Sequence, residues 1–493
     1  MNAIAETGAR FQATTSSREK EMVISEARQA VEETWTRSSS MHDLSPSEKE
    51  HFPTQSSQAP FDAQRPLNSE TPPSESDEER ILSAGFENDF PEGGLRAWLV
   101  VASAFLMLLP SYGFMVAIGT LQDYWIQNQL KQHTASEVGW VAGMLAFLTL
   151  GLGIWVGPLF DRYGPRWLAL VGSVGYVTMM FLLAECDKLW QMILCCGVLG
   201  GASAALLTTT ALASVAHWFK VRRGLAQGVA LAGSSCGGLS LPLILRSTLP
   251  KFGYTWSLRI LGLVFLGCLT ISNILIKARI PPSPAAKKNA IISLSIFRDL
   301  GFSLFTVFVF GFELVLFGGI GILPTYATLS GHFPPDTGFY LVSVLNGVAF
   351  VGRILPGYLA DKIGRFNTIL IMTVFTLFFM SVLWLPFGHR SLPVLYSFAA
   401  LFGFGSGSVF ALSPACMGQM CRAQDFGRYF GTMYSVASFA TLVGIPMSGV
   451  LAQQVGLQAM VAFYCALLTV SLISLVFSRW ACLGRHWTIK VVI

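Results

Sequence analysis

Apolar stretches of about 20 residues alternate with short polar loops from residue 97 to residue 478. As an α-helix, each stretch is long enough to cross a hydrocarbon core of roughly 30 Å. A helix satisfies its backbone polar groups internally, which an open strand in lipid cannot do. The pattern therefore predicts an all-α membrane protein with twelve transmembrane helices, near residues 97–119, 138–160, 166–185, 190–215, 223–247, 256–277, 300–327, 338–360, 367–387, 392–418, 427–451 and 456–478.

The first 95 residues have a different composition, with 18 acidic and 8 basic side chains and many Ser, Gln and Pro residues. Segments this polar bury too little apolar surface to fold. We therefore predict a disordered cytosolic tail, followed by two bundles of six helices and a linker between them. The predicted boundaries are 1–95 for the tail, 96–278 for the first bundle, 279–299 for the linker, 300–480 for the second bundle and 481–493 for a short C-terminal tail.

The remaining residues carry 10 acidic and 25 basic side chains, and the bases concentrate in alternate loops. Because positive loops stay on the cytosolic side, both termini are predicted to be cytosolic, with the plasma membrane as the expected location and an internal membrane as the alternative. Bases in short loops between spans do not indicate nucleic-acid binding. The basic loops are 161–166, 220–223, 277–288, 361–365 and 421–428.

A ten-residue pattern occurs twice, 200 residues apart: GPLFDRYGPR from Gly157 and GYLADKIGRF from Gly357. Two six-helix halves in parallel orientation explain this repeat, with a solute site between them near the midplane. We expect the repeated acids to pair with nearby cations and to break those pairs when the halves rock. A static turn is the alternative. The predicted gating residues are Asp161, Arg162, Arg166, Asp361, Lys362, Arg365, Arg222 and Arg223.

The stretch HWFKVRRGLAQGVALAG, residues 217–233, places cations ahead of small residues spaced four apart, which favours close helix packing. Together with PEGGLRAW at 91–98 and FVGRILPGYLADKIGR at 350–365, it resembles the monocarboxylate porter branch of the major facilitator superfamily, and most of all its fungal members. The resemblance implies alternating access and transport of an organic solute.

Two positions depart from the proton-coupled members of that branch, which have a lysine in the first helix and an aspartate one turn before the arginine of the eighth. Here Met115 and Val116 stand in the first helix, and Ala349 precedes Arg353. Since fungal relatives include carriers of riboflavin and of secondary metabolites, a larger organic solute is expected. A proton-coupled lactate or pyruvate symporter is the alternative.

Two ionisable residues, Glu313 and Arg353, lie deep in apolar spans. A charge in lipid costs a few kcal/mol or more, so such residues usually face a cavity or a partner. We expect them to pair or to share a cavity, with Arg353 holding an anionic solute group and Glu313 taking a proton. A purely structural ion pair is the alternative. Further predicted solute contacts are Asn346, Phe350, Tyr112 and Tyr434.

Motifs for other functions are missing from the sequence. It contains no HExxH and no P-loop, and its nine cysteines have no zinc-ligand spacing. The sequence thus predicts a gradient-driven transporter without cofactor or metal, whose expected partners are a small organic solute, the bilayer and protons. A solute sensor that signals through the tail is the alternative.

Overall fold

The structure is a computed structural model that describes residues 90–279 and 294–484, except residues 332 and 335. Most of the predicted N-terminal tail, most of the linker and residues 485–493 lie outside the described residues. The described chain is helical throughout its long elements, as predicted.

The first half contains six helices, although the fifth and sixth follow one another without a loop. The continuous segment Arg223–Leu275 has 53 residues, about 80 Å of helix, which is more than twice the thickness of a hydrocarbon core. Gly253 interrupts it with φ 74° and ψ 177°, a conformation that favours glycine. The helices are α1 (Gly94–Gln127), α2 (Ala135–Gly151 and Gly153–Tyr163), α3 (Pro165–Leu183), α4 (Leu189–Trp218), α5 (223–252) and α6 (254–275).

The second half repeats this arrangement with six further helices, so the predicted count of twelve spans is confirmed. Many helices run beyond the predicted apolar core; α1, for example, begins before residue 97 and ends after residue 119. The helices are α7 (Leu300–Leu329), α8 (Thr337–Ile363), α9 (Arg365–Phe387), α10 (Leu392–Met417), α11 (Phe426–Gln454) and α12 (Leu457–Cys482).

Serine hydroxyls join the first and last helix of each half. In the first half, Ser103 on α1 and Ser272 on α6 each donate to the other's carbonyl oxygen, at 2.9 and 2.8 Å. In the second half, Ser478 on α12 donates to the carbonyl of Gly301 on α7 at 2.8 Å. These buried bonds lie inside a half, so they do not oppose motion of one half against the other.

Both halves begin and end on one side of the bundle, which we call the basic face. It carries the loops at 161–166, 220–223, 361–365 and 421–428. The outer surface of the bundle exposes large apolar side chains, such as Ile274 at 76%. An apolar belt of this kind fits contact with lipid, and the chain is a multi-pass membrane protein.

Candidate solute site and gate

Asp161, at the end of α2, connects the two halves at the basic face. Its carboxylate accepts backbone N–H bonds from Gly427 at 3.1 Å and from Arg428 at 2.9 Å, both in the first turn of α11. The first N–H groups of a helix have no partner inside it, and the helix dipole favours negative charge there. The acid therefore caps a helix of the opposite half, where the sequence led us to expect a nearby cation as its partner.

Asp361, at the end of α8, makes the equivalent contact from the second half to the first. It accepts backbone N–H bonds from Gly224 and Leu225, both at 2.8 Å, in the first turn of α5. Its Oδ1 also lies 3.5 Å from Nε of Arg365. The repeated sequence motif thus produces two symmetric contacts between halves, α2 with α11 and α8 with α5.

Glycines allow the backbones to meet at these contacts. A Cβ atom on Gly427 would lie 2.5 Å from the carbonyl oxygen of Gly157, and one on Gly224 would lie 2.6 Å from that of Gly357. Ordinary contacts begin at about 3.4 Å, so any larger residue would push the halves apart. We call these two acid caps and their glycine contacts the gate.

The turn at residues 220–222, directly before α5, forms hydrogen bonds with side chains from both halves. Glu92, ahead of α1, accepts backbone N–H bonds from Lys220, Val221 and Arg222 at 2.8, 2.6 and 3.0 Å. Arg365, from the second half, donates to the carbonyls of Lys220 and Val221. No role for Glu92 was predicted from the sequence, because its partners lie about 130 positions away along the chain.

Replacement of Glu92 by glutamine is expected to weaken this turn. A carboxamide has one acceptor oxygen and presents an NH₂ group to the same three donors, so about 1–3 kcal/mol of hydrogen bonding is lost. We expect a several-fold lower initial rate of transport and a lower unfolding temperature in detergent. Glu185→Gln, an exposed acid at the opposite face, is the matched control. Equal effects of both variants would contradict the role given to Glu92.

The other predicted gating residues have different positions. Arg223 is buried, and its Nη1 donates to the carbonyl of Gly418 in the second half at 2.5 Å. The side chains of Arg166, Arg222 and Lys362 are exposed, and Arg162 is partly exposed at the end of α2. The structure therefore brings Arg223 and Arg365 into the contact between halves and leaves the side chains of Arg166, Arg222 and Lys362 on the surface.

A cavity lies between the halves, on the far side of the gate from the basic face. Helices α1 and α5 line it from the first half, and α7, α8 and α10 from the second. Most of the lining is apolar or aromatic, with a few polar groups, as is usual for sites that bind organic molecules. The lining residues are Tyr112, Met115, Val116, Ser234, Leu316, Phe317, Ile320, Leu345, Asn346, Ala349, Arg353, Ser406, Gly407 and Phe410.

Arg353 is the single Asp, Glu, Lys, Arg or His residue in that lining. Its Nη1 donates to the carbonyl of Leu231 at 2.7 Å and to the hydroxyl of Ser234, both on α5. Its guanidinium carbon lies 5.3 Å from the ring centre of Phe410. Nε is buried and has no hydrogen-bond partner in the described part of the chain. One cation in an apolar cavity, with an N–H group still unused, is suited to an anionic group.

Comparison with known proteins identifies the fold. The family model described as Major Facilitator Superfamily matches residues 100–392 and 357–481. The chain belongs to the Major Facilitator Superfamily.

The relatives of this major facilitator chain include named transporters. It is 35% identical over 439 residues to the riboflavin transporter MCH5 of Saccharomyces cerevisiae, covering 84% of this chain and 83% of that protein. It is 34% identical over 371 residues to the aspyridones efflux protein apdF of Emericella nidulans, covering 74% of each. The chain is therefore a membrane transporter rather than an enzyme.

A solved transporter structure has the same fold. The human organic anion transporter MFSD10 aligns with 80% of this chain and 99% of its own length, with a TM-score of 0.58 and 18% identity. At that identity the likeness supports the architecture and nothing finer.

Some of the remaining predicted solute contacts line the cavity and others do not. Tyr112 and Asn346 line it, while Phe350, which is half-buried, and Tyr434, which is buried, do not. Tyr434 packs on Phe430, with ring centres 4.6 Å apart. Glu313 is fully buried and forms no ion pair with Arg353. The structure thus places three of the six predicted solute contacts at the cavity.

Several lining residues had no signal in the sequence. Phe410 and Ser406 on α10 and Ser234 on α5 are ordinary residues of a transmembrane helix. Phe410 contacts both Arg353 and Tyr112. The ring centres of Phe410 and Tyr112 are 5.5 Å apart. The seven-residue spacing between Arg353 and Asn346 on one helix face was the usable signal, since it predicted a shared orientation.

Proposed function

We propose that this chain is a secondary active transporter, similar to the monocarboxylate porters, that moves a larger organic anion. Arg353 carries the proposal, because it places one positive charge with an unused N–H group in an otherwise uncharged cavity. An anionic group would bind the guanidinium, and the apolar wall would hold the rest of the solute. Protons are proposed as a second substrate.

The lining of the cavity favours a solute larger than lactate. Most of the wall is apolar or aromatic, which suits a solute with a sizeable apolar part. The relatives named for riboflavin and for aspyridones support the same direction. Met115, Val116 and Ala349, which stand where proton-coupled lactate carriers have charged groups, all line the cavity without adding charge.

Alternating access follows from the gate. With Asp161 and Asp361 capping helices of the opposite half, the basic face is closed next to the cavity. We propose that the basic face is cytosolic, that both termini lie there, and that the protein resides in the plasma membrane. The solute then enters from outside in this conformation and leaves for the cytosol after the halves rock.

The proposal is tested by uptake in yeast cells that lack their own relatives of this chain. Labelled lactate, benzoate, indole-3-acetate and riboflavin are offered separately to cells with and without the protein. We expect transport of a larger anion, benzoate or indole-3-acetate, and little transport of lactate. Lactate uptake that exceeds the others would support the lactate symporter, and no uptake of any of the four would contradict the proposal.

A further inference from the structure

Glu313 on α7 is a fully buried acid whose two carboxylate oxygens have no hydrogen-bond partner within the described chain. The acids of the gate differ, since Asp161 and Asp361 each accept two backbone N–H bonds. A buried carboxylate without such bonds is costly, and proteins usually relieve the cost by a partner or by protonation. The position of Glu313 therefore calls for a functional explanation.

Glu313 lies directly beneath the cavity. Leu316, Phe317 and Ile320, which line the cavity, follow it by three, four and seven residues on α7. These spacings place all four side chains on one face of the helix. Glu313 is thus about one helical turn, roughly 5 Å, closer to the gate than the cavity wall.

The groups that face Glu313 come from three other helices. Its charge interacts with Arg353 of α8, Tyr112 of α1 and Tyr434 of α11. On α12, which also packs against α7, the hydroxyl of Tyr464 is bonded to Ser448. Helix α10 contains no Asp, Glu, Lys, Arg or His between Leu392 and Met417. Arg353 is therefore the cation that acts on Glu313, and the two attract each other without forming an ion pair.

We propose that Glu313 is the proton-binding group of the transporter and that it takes up one proton when an anion binds Arg353. This inference rests on the proposed function. Without solute, the negative charge of Glu313 is balanced by Arg353 across the cavity floor. A bound monoanion satisfies Arg353 instead, which leaves Glu313 ionised in a buried site with no counter-charge. A proton restores neutrality.

The coupling has two consequences. Because linkage is reciprocal, protonation of Glu313 raises the affinity of Arg353 for the anion by the same factor as the anion raises the affinity for the proton. The empty site and the doubly loaded site both carry zero net charge on these groups. Anion and proton therefore cross together, one to one, and the combined step is electroneutral.

The test uses the full-length protein in liposomes with labelled benzenesulfonate as the probe, because this anion has no neutral form that could cross the bilayer unaided. Two assays are compared: exchange of benzenesulfonate for benzenesulfonate at equal pH, and accumulation driven by a pH difference of about one unit. One proton per anion gives wild-type accumulation of about tenfold per pH unit. Glu313→Gln mimics the protonated acid, so we expect exchange to remain and accumulation to be lost. Glu137→Gln, an exposed acid in the capping box of α2 that glutamine also completes, is expected to accumulate normally.

The outcomes separate the two proposals. Accumulation by Glu313→Gln equal to wild type would overturn the proton role, as would wild-type exchange without pH-driven accumulation. No exchange by the wild type would instead contradict the proposed function. If Glu313→Gln does not fold, infrared spectroscopy of the wild type decides. Benzenesulfonate, which has no carboxyl group of its own, must then increase the carbonyl band of a protonated carboxyl group, and an unchanged band would overturn the inference.

Discussion

Arg353→Ala is expected to abolish solute transport while leaving the protein in the membrane. The substitution removes the charged donor of the cavity, and truncation of one partner of a buried charge pair costs about 3 kcal/mol, which is about a 100-fold loss of affinity. The bonds to Leu231 and Ser234 are lost as well, but neither residue needs a guanidinium partner to remain in its helix. The initial uptake rate at low solute concentration is the measurement.

Two companion variants make this result specific. Arg353→Lys keeps the charge but loses the planar fork, so we expect an intermediate loss of about tenfold. Arg259→Ala removes a partly exposed arginine that pairs with Glu185 inside the first half, and it is expected to transport like the wild type. Full transport by Arg353→Ala, or equal losses in Arg353→Ala and Arg259→Ala, would remove Arg353 from the solute site.

Gly157→Ala is expected to prevent closure of the gate. A Cβ atom on Gly157 would overlap the carbonyl oxygen of Gly427, and both atoms belong to helix backbones that cannot turn aside. The halves must then separate at the basic face, which breaks the bonds of Asp161 to α11. We expect transport to fall at least about tenfold, because shifting a two-state equilibrium by 1.4 kcal/mol already changes its ratio tenfold.

The gate variant has a matched control on the same helix. Gly139→Ala adds the same methyl group to α2 at a point where nothing lies within 4 Å. Cavity access is read by placing a cysteine at Ser406, in a background without native cysteines, and applying an impermeant thiol reagent at the basic face. We expect fast labelling with Gly157→Ala and slow labelling with Gly139→Ala. Slow labelling in both would show that this glycine contact does not set the gate.

Much of the architecture follows from the sequence because lipid leaves few choices. An apolar run must form a helix there, so counting runs gave twelve helices, and the motif repeated at Gly157 and Gly357 gave two halves. The ends of the helices were predicted less well than their number. Helix α1, for example, extends beyond the apolar core into polar surroundings, where hydropathy no longer specifies its limits. The predicted gap between the fifth and sixth spans, between residues 247 and 256, contains Gly253, although the chain turns there without a loop.

The site was predictable only where charge made residues conspicuous. Arg353 stands out in an apolar helix, and the structure places it in the cavity wall. Phe410 and Ser234 do not stand out, because their residue types are equally common facing lipid, another helix or a solute. Asp161 stood out too, but its partner was expected to be a nearby cation. The structure shows that its carboxylate accepts bonds from a helix N-terminus in the other half, and backbone N–H groups leave no mark in a sequence.

We propose that the two halves close at the basic face through the acid caps and open there to release the solute. Spin labels at Arg166 and Lys362, exposed residues of opposite halves, report this distance by pulsed electron resonance in liposomes. We predict a short distance in the wild type and a population shifted to a longer one when Asp161→Asn and Asp361→Asn are combined. A single distance, unchanged by the loss of both acids, would contradict the account.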